Sequence, residues 1–398
     1  MALYNQFLKP SSTQAASKLY NNLVKEKVSI EDAISVLQDG AMCPIVHWNA
    51  IWHHRIAVEL CARLYENPEL IEKNREALEN YRAMYNRMFS TLPLKSNKSF
   101  SYYLGAIALD ATLLVKKDRS KNINKFSSIV VKLVGDGCFI EGSHYSIFCS
   151  QSFDRVYNLL QSYYDSAPVW LKVCDLMESL QKWQGRISNN AGVVASIGDS
   201  WYEVINPTDE TGTFVYKDMT IFRNKNWVVV KNCRKTGWAL HEHPHLEEIL
   251  ISKGNQWVVQ GSGMPSYSEV MSNPLRWRRP YNHFSNGGRI FNLPFVWRYY
   301  KKFLKTRVVT VNKDNVSIQE QKNHKTTVRW PIGERLYPIE SRPNQNVVEF
   351  CYKGARFTVN GNIEEVTYDY SWQSTTYGKS EKIKVICITG SNIITKIQ

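Results

Sequence analysis

A tyrosine that directly follows a histidine in a glycine-containing segment is the first place in this chain where chemistry can be expected. Asp136-Gly137 predicts a turn, and His144 and Tyr145 follow it at the end of a Glu-Gly-Ser-His-Tyr run that begins at Glu141. A phenol can accept and donate a proton if nearby cations lower its pKa from the ordinary value of about 10. The alternative interpretation is purely structural. A turn followed by a helix is common, and the side chains of His144 and Tyr145 could simply pack against the rest of the protein.

A second group of proton-carrying side chains lies later in the chain. His241, His243 and His245 alternate along the sequence, and side chains two positions apart face the same side of a β-strand. Pro244 indicates that the extended run ends there, so the histidines either converge at a site or form a fortuitous surface patch. Imidazole is a common metal ligand, but the HExxH spacing of zinc proteases is absent.

These two groups fall in two halves of the chain that differ in their pattern of apolar residues. From Ser12 to about Trp183 the apolar residues recur at helical spacing. After Gln184 short runs rich in Val, Ile, Thr, Trp and Tyr alternate with Asn and Gly, which is typical of β-strands. We therefore predict an α+β, multidomain chain with a helical domain over 1–190 and an antiparallel β-sandwich over 191–398.

Local signals place several of these elements. Ser29, followed by Glu31 and Asp32, predicts the start of a helix. The strand signal predicts Thr213–Tyr216, Trp227–Lys231, Glu248–Ser252, Gln256–Gln260, Arg307–Val311, Val347–Tyr352 and Lys382–Ile388.

Composition limits the function classes. A chain of 398 residues with 43% hydrophobic content is long enough for two packed domains and too apolar for disorder. Its 50 Lys and Arg against 36 Asp and Glu give a net charge of +14, which implies an acidic partner such as nucleic acid, anionic lipid or acidic polysaccharide. Aromatic residues, at 12%, can stack on bases or sugar rings. The densest cationic patches are 276–281 and 297–302.

Cysteines and the N-terminus give further expectations. The eight cysteines are scattered without a CxxC spacing, so we expect mostly buried thiols. The chain starts without an export signal and has no apolar run long enough to cross a membrane. We expect a cytoplasmic protein, or one exported by another route, and leave the oligomeric state open.

The segment from Asp136 to Tyr145 resembles the "DG, then E-x-S-x-Y" signature of the heparinase II/III-like polysaccharide lyases. Further segments resemble elements of that family in the same order: Ser196–Ser200 its GDS, His241-x-His243 its GHxHxD, Gly261–Tyr267 its DxG…Y and Tyr281–Phe284 its HNT. The elements are colinear over about Asn97 to Asn286.

The resemblance implies a fold, a reaction and residue roles. The fold is an N-terminal (α/α) toroid, incomplete in so short a chain, followed by a β-sandwich. The reaction is β-elimination in an acidic, uronic-acid-containing polysaccharide, with no nucleic-acid partner and no organic cofactor. The implied catalytic residues are Tyr145, His241, Asn97 and Tyr267; the implied substrate-binding residues are His144, Glu141, Arg278, Arg279 and His283; the implied ligands of a structural zinc or calcium ion are His243 and His283.

Four positions depart from the family pattern. Lys98 follows Asn97 where the family often has the histidine of an Asn-His pair. Leu240 stands where the family has glycine, and His245 stands where it has an acidic residue. Gln260 replaces the aspartate expected before Gly261, which removes one metal ligand. Metal binding therefore stays open.

Three other functions fit parts of the sequence. A non-catalytic glycan-binding or polysaccharide-biosynthesis accessory protein would keep the scaffold and lose site residues. A nucleic-acid binder would account for the charge, although no zinc-finger, RNP or helix-turn-helix signature is present. A glycoside hydrolase would need two carboxylates, for which Asp136 and Glu141 are candidates.

Overall fold

The computed structural model describes residues 10–38, 50–89, 97–165, 167–198, 200, 202–232, 248–261, 307–320, 325–332, 346–376 and 379–398. The chain divides into two compact units. The helical unit consists of Met1–Gly135 and Ile147–Leu180, and the sandwich unit consists of Asp136–Ser146 and Gln181–Gln398. The short segment that carries His144 and Tyr145 thus belongs to the sandwich unit. The bounds 1–190 and 191–398 stay a sequence-based prediction.

The first half of the described chain is helical, as the apolar spacing predicts. Its helices are α1 (Pro10–Val24), α2 (Ile30–Gln38), α3 (Ala50–Glu66), α4 (Glu69–Lys73), α5 (Arg75–Phe89), α6 (Asn97–Thr112), α7 (Arg119–Val134), α8 (Ser143–Tyr164) and α9 (Pro168–Arg186). Within the helical unit, α6 packs against α3, α5 and α7, and α1 packs against α3. Closure of these helices into a toroid stays a prediction. None of the described helices is long and apolar enough to cross a membrane.

Burial explains why these helices pack. On α3 the side chains of Ile56, Leu60 and Leu64 recur every fourth residue and are fully enclosed, so one face of the helix is apolar. The helix start predicted at Ser29 is confirmed, because the Asp32 backbone N–H donates to Ser29 Oγ at 3.0 Å. Burial of cysteine is also confirmed for most of the described ones: Cys61, Cys138, Cys149 and Cys387 are buried, Cys174 is half-buried and Cys351 is exposed.

The second half of the described chain forms two antiparallel sheets, which confirms the predicted β-rich half. The first sheet joins β1 (Gly212–Tyr216), β2 (Met219–Arg223), β3 (Trp227–Asn232), β4 (Glu248–Lys253) and β5 (Gln256–Val259) in chain order. The second sheet is built from β6 (Val308–Val311), β7 (Val316–Gln319), β8 (Thr326–Pro331), β9 (Val347–Tyr352), β10 (Ala355–Thr376) and β11 (Lys379–Ile397). Its order is β6-β7-β11-β10-β9, and β8 also pairs with β11.

One hydrophobic core joins the two sheets. Trp227, Val229 and Ile251 of the first sheet belong to the same buried cluster as Trp330 and Phe357 of the second. A shared core between two antiparallel sheets defines a β-sandwich, so the predicted fold class is confirmed. The seven strands predicted from the sequence are all present. Six have ends within one residue of the prediction, and β11 extends nine residues beyond the predicted end at Ile388.

Candidate functional site

Two of the sequence segments that carry the family resemblance touch each other through their backbones. Ser143 N–H donates to Ile197 O at 3.0 Å, and Ile197 N–H donates to Ser143 Oγ at 3.2 Å. Gly142 and Gly198 form an antiparallel bridge beside these bonds. The serine that begins α8 is therefore fixed to the segment 196–200 from both its backbone and its side chain.

Glycine makes this close approach feasible. Gly142 has a φ of +102°, and a Cβ atom there would lie 2.2 Å from Ile197 O. A Cβ atom on Gly261, at the end of β5, would lie 2.3 Å from Ser196 O. Both distances are far shorter than a carbon–oxygen contact allows. Parts of three resemblance elements, around residues 142, 197 and 261, thus converge in the sandwich unit because two positions lack a side chain.

The turn before α8 is held in place by its aspartate. Gly137 has a φ of +86°, and Asp136 Oδ1 accepts from the Cys138 backbone N–H at 3.4 Å. The other oxygen, Oδ2, accepts from the Lys217 backbone N–H at 3.3 Å. The predicted turn is confirmed. Because the Asp136 carboxylate accepts from two backbone groups, its observed role is to anchor the segment that leads to Tyr145.

His144 lies in the first turn of α8 and forms a close contact with a carboxylate. The distance between His144 Nδ1 and Glu203 Oε1 is 2.6 Å, and the two side chains are 17% and 26% exposed. A carboxylate at Nδ1 stabilises the tautomer that carries its proton there, so we assign the lone pair of the neutral ring to Nε2. Glu203 was not among the residues singled out from the sequence.

The backbone around Glu203 is fixed by the sandwich. Val194 N–H donates to Glu203 O at 2.9 Å, and Val193 forms an antiparallel bridge with Val204. Trp257 on β5 donates from Nε1 to Val193 O at 2.9 Å. A chain of contacts thus runs from β5 through 193–194 to Glu203 and on to the His144 ring.

Tyr145 lies next to this pair. Its side chain is half-buried, and its ring meets the His144 ring edge to face with 5.2 Å between centroids. As a first-turn residue of α8, Tyr145 lies near the positive end of the helix dipole, which favours negative charge. This position suits a phenol that must carry negative charge during a reaction.

A second tyrosine of the sandwich unit serves as a contrast. Burial raises the pKa of Tyr202 to about 12, although its hydrogen bond to Gln260 opposes the shift. Its hydroxyl donates to Gln260 Oε1, which also accepts from Gln373 Nε2 at 2.7 Å. Tyr202 therefore stays protonated at neutral pH. The amide that replaces the family's aspartate is a buried hydrogen-bond acceptor between three chain segments.

Other residues considered from the sequence fall in different surroundings. Glu141 is only 1% exposed, and its substrate-binding role stays a prediction. His54 is completely buried in the helical unit and lies 2.6 Å from the Tyr85 hydroxyl. α6 begins at Asn97, whose side chain is outside the described part. Also outside the described residues are His241, His243, His245, Tyr267, Arg278, Arg279 and His283.

The helical unit has a cavity of its own. It has a volume of about 310 Å³ and is lined by Tyr20, Val24, Arg55, Val58, Glu59, Phe148, Gln151, Ser152 and Arg155. The Arg55 guanidinium lies 3.9 Å from the Phe148 ring centroid, and Arg155 makes two 2.9 Å hydrogen bonds to Glu59. Among the described candidates from the sequence, Glu141, His144 and Tyr145 do not line this cavity.

Solved structures of heparinase III and of a heparan sulfate lyase share this fold. A heparinase III structure superimposes with a TM-score of 0.59 at 12% identity, covering 86% of this chain and 67% of the other. The heparan sulfate lyase HepC from Pedobacter heparinus gives a TM-score of 0.62 at 10% identity, covering 97% and 75%. A mutant of the same lyase gives 0.61 at 11% identity, covering 88% and 67%. The chain therefore has a heparinase-like fold.

No protein-family model matches the chain, and no curated protein matches it. At identities of 10–12% the structural likeness establishes the fold, and activity must be argued from residues.

Proposed function

We propose that this protein is a polysaccharide lyase that cleaves an acidic, uronic-acid-containing polysaccharide by β-elimination, with Tyr145 as the residue that moves the proton. The observation that carries the proposal is the position of Tyr145. It lies in the first turn of α8, beside a histidine–carboxylate pair, where two glycine-dependent contacts bring the motif segments together. The heparinase-like fold and the net charge of +14 support an acidic polysaccharide as substrate.

The reaction sets three demands on the site. The proton at C5 of the uronate is weakly acidic, so a base must remove it while the adjacent carboxylate is neutralised. The C4–O bond then breaks, a C4=C5 double bond forms, and the leaving oxygen takes a proton. Tyr145 in its phenolate form takes the C5 proton and then donates it to the leaving oxygen, so one residue serves both steps.

Residues outside the described part complete the proposal. His241 and Asn97 hold the substrate carboxylate, Tyr267 shares the proton transfer, and Arg278 and Arg279 bind neighbouring acidic sugars. A structural divalent metal at His243 and His283 stays a prediction, and the proposed steps do not depend on it. Gln260 is a neutral amide bound to Tyr202 and Gln373, so it does not add a carboxylate to such a site.

The direct test is ultraviolet absorbance with a panel of acidic polysaccharides: alginate, glucuronan, hyaluronan, chondroitin, heparan sulfate and bacterial capsules. Elimination creates a conjugated unsaturated uronate, so absorbance should rise with at least one polymer. Tyr145→Phe should abolish the rise, whereas Tyr202→Phe is the matched control because Tyr202 is bound to Gln260. New reducing ends without ultraviolet absorbance would instead indicate hydrolysis and contradict the proposal.

A second candidate function is a non-catalytic glycan-binding protein on the same scaffold. The observation that favours it is Gln260, because an amide engaged in two hydrogen bonds stands where the family pattern has an acidic residue. Binding of an acidic polymer without cleavage, for wild type and Tyr145→Phe alike, would support this function over the lyase.

A further inference from the structure

The contact between His144 and Glu203 has no counterpart in the site inferred from the sequence. Glu203 Oε1 lies 2.6 Å from Nδ1 of the imidazole, and the imidazole ring packs edge to face against Tyr145. A carboxylate, an imidazole and the ring of a tyrosine therefore adjoin one another. This is the order in which proteins activate a weakly acidic nucleophile or base, with the third group orienting the second.

We propose that Glu203, His144 and Tyr145 form a relay in which His144 holds the phenol proton of Tyr145 throughout the reaction cycle. The inference rests on the proposed lyase function and adds to it the means by which Tyr145 becomes a base. Glu203 and His144 are positioning residues in this scheme. Tyr145 is the catalytic residue, because it alone of the three reaches the reacting atoms.

Each bond that forms during the proposed reaction is matched by a bond that breaks. The O–H bond of Tyr145 breaks and an Nε2–H bond forms on His144, which gives a phenolate, an imidazolium and the Glu203 carboxylate. The phenolate takes the C5 proton of the uronate, and the electron pair of that bond forms the C4=C5 double bond. The C4–O bond breaks with its electrons on oxygen, and Tyr145 returns the same proton to that oxygen. The phenolate is regenerated, and no oxidant or reductant is consumed.

The surroundings of the pair make it more than a loose surface contact. Exposed ion pairs are screened by water and contribute little to stability. Here both side chains are largely shielded, at 17% and 26% exposure, which strengthens their electrostatic interaction. The backbone of Glu203 is also tied to Val194, and Trp257 binds the neighbouring Val193. The carboxylate is therefore held where the imidazole needs it.

The relay requires Nε2 and the phenol oxygen to come within hydrogen-bond distance during reaction. The rings are already in edge-to-face contact. Catalytic hydrogen bonds are often long in a free enzyme and tighten when substrate binds. Tyr145 lies in the first turn of α8, near the positive end of the helix dipole.

The kinetic test measures kcat and KM for variants of His144 and Glu203 that remove either the charge or the hydrogen bond. On the polymer that the wild-type protein cleaves, His144→Ala should lower kcat about 10²- to 10⁴-fold, the usual contribution of proton-transfer assistance, with little change in KM. Added imidazole should restore part of the rate. At Glu203, activity should fall in the order Asp, Gln, Ala, because Gln still accepts a hydrogen bond but lacks charge.

A matched control comes from another ion pair of the same unit. Glu210 lies 2.6 Å from Arg186 and is more exposed than Glu203. Glu210→Gln should leave kcat unchanged. If His144→Ala keeps the wild-type kcat on a cleaved polymer, or if Glu203→Gln and Glu210→Gln behave alike, the relay is wrong and the lyase function still stands.

A second measurement does not depend on activity. In protein with ¹⁵N-labelled histidine, the ring nitrogen shifts report which nitrogen carries the proton, and His144→Gln assigns the signal among the nine histidines. We expect the Nδ1–H tautomer for neutral His144 and its loss in Glu203→Ala. An Nε2–H tautomer unaffected by Glu203 would overturn the relay. If no acidic polymer is cleaved at all, the lyase function fails and the relay falls with it, whatever tautomer is seen.

Discussion

Two histidines of the described chain each lie beside a tyrosine, yet the two pairs differ in nearly everything that matters for chemistry. In the helical unit His54 Nδ1 lies 2.6 Å from the Tyr85 hydroxyl, and the ring centroids are 5.6 Å apart. In the sandwich unit His144 Nδ1 lies 2.6 Å from Glu203, and its ring centroid is 5.2 Å from that of Tyr145. The residue types and ring distances are nearly the same.

Burial and the partner at Nδ1 separate the two pairs. His54 is completely enclosed, and burial raises the pKa of Tyr85 well above its ordinary value, so that phenol stays neutral. His144 is partly exposed and has the Glu203 carboxylate, instead of a phenol, at Nδ1. A histidine beside a tyrosine is therefore a core feature in one unit and a candidate proton-transfer site in the other. The environment decides which.

The largest effect is expected from replacing Tyr145 and Tyr85, one at a time, by phenylalanine. Tyr145→Phe should lower the elimination rate about 10²- to 10⁴-fold and leave the free energy of unfolding nearly unchanged, because the half-buried ring is kept. Tyr85→Phe should do the reverse and cost about 1–3 kcal/mol of stability, because a buried hydrogen-bond partner of His54 is removed. Ultraviolet product formation and urea unfolding measure both. Loss of activity without loss of stability in Tyr85→Phe would contradict the comparison.

The next effect concerns the glycine that allows α8 to approach Ile197. Gly142→Ala should destabilise the protein by about 3 kcal/mol and lower activity, since the new methyl carbon would lie 2.2 Å from a backbone oxygen. Gly254→Ala is the matched control. It also has a positive φ but meets nothing within 4 Å, so only conformational strain of about 1 kcal/mol is expected. Equal costs in urea unfolding would show that the close approach is unimportant.

An intermediate effect is the response of the buried tyrosines to alkaline pH. Burial raises the pKa of both Tyr81 and Tyr85 above the ordinary value. The folded state then keeps these protons while the unfolded state loses them above about pH 10. Stability should be fully present below that pH and fall above it, by about 1.4 kcal/mol per pH unit for each such tyrosine.

Urea unfolding between pH 9 and 11 measures that slope. Tyr85→Phe should make it shallower, whereas Tyr145→Phe serves as the comparison from the other unit. A slope that Tyr85→Phe leaves unchanged would show that Tyr85 ionises as readily in the folded protein as in the unfolded chain.

The smallest effect is expected from replacing two serines that lie at helix N-termini, Ser29 and Ser143. Ser29 Oγ accepts from Asp32 N–H at 3.0 Å in the helical unit, and Ser143 Oγ accepts from Ile197 N–H at 3.2 Å in the sandwich unit. Each change to Ala should cost about 1 kcal/mol of stability. Only Ser143→Ala should also lower activity, because Ile197 helps to place the first turn of α8. Thermal unfolding and the elimination rate together distinguish the two outcomes.

Several strands were predictable from their own residues, whereas others, among them β2, β8 and β10, were not identified. Trp227–Lys231 and Val347–Tyr352 are rich in β-branched and aromatic residues and were identified. β10 was missed, although it runs for 22 residues, because it contains Asn360, Gly361 and several carboxylates. Its pairing with β11 over nearly its full length supplies the hydrogen bonds that local propensity does not encode.

The amino-acid sequence by itself determined the α+β composition and the order of the motif segments, because these depend on composition, spacing and local residue types. The choice of Tyr145 came from the resemblance to the E-x-S-x-Y signature and stays a prediction. Only the tertiary structure decided that the Tyr145 segment belongs to the sandwich unit, that Gln260 binds Tyr202, and that Glu203 lies against His144. His144 and Glu203 are 59 residues apart. Their contact exists because Gly142, Val194 and Trp257 bring distant backbone segments together, and no periodicity within either segment records that packing.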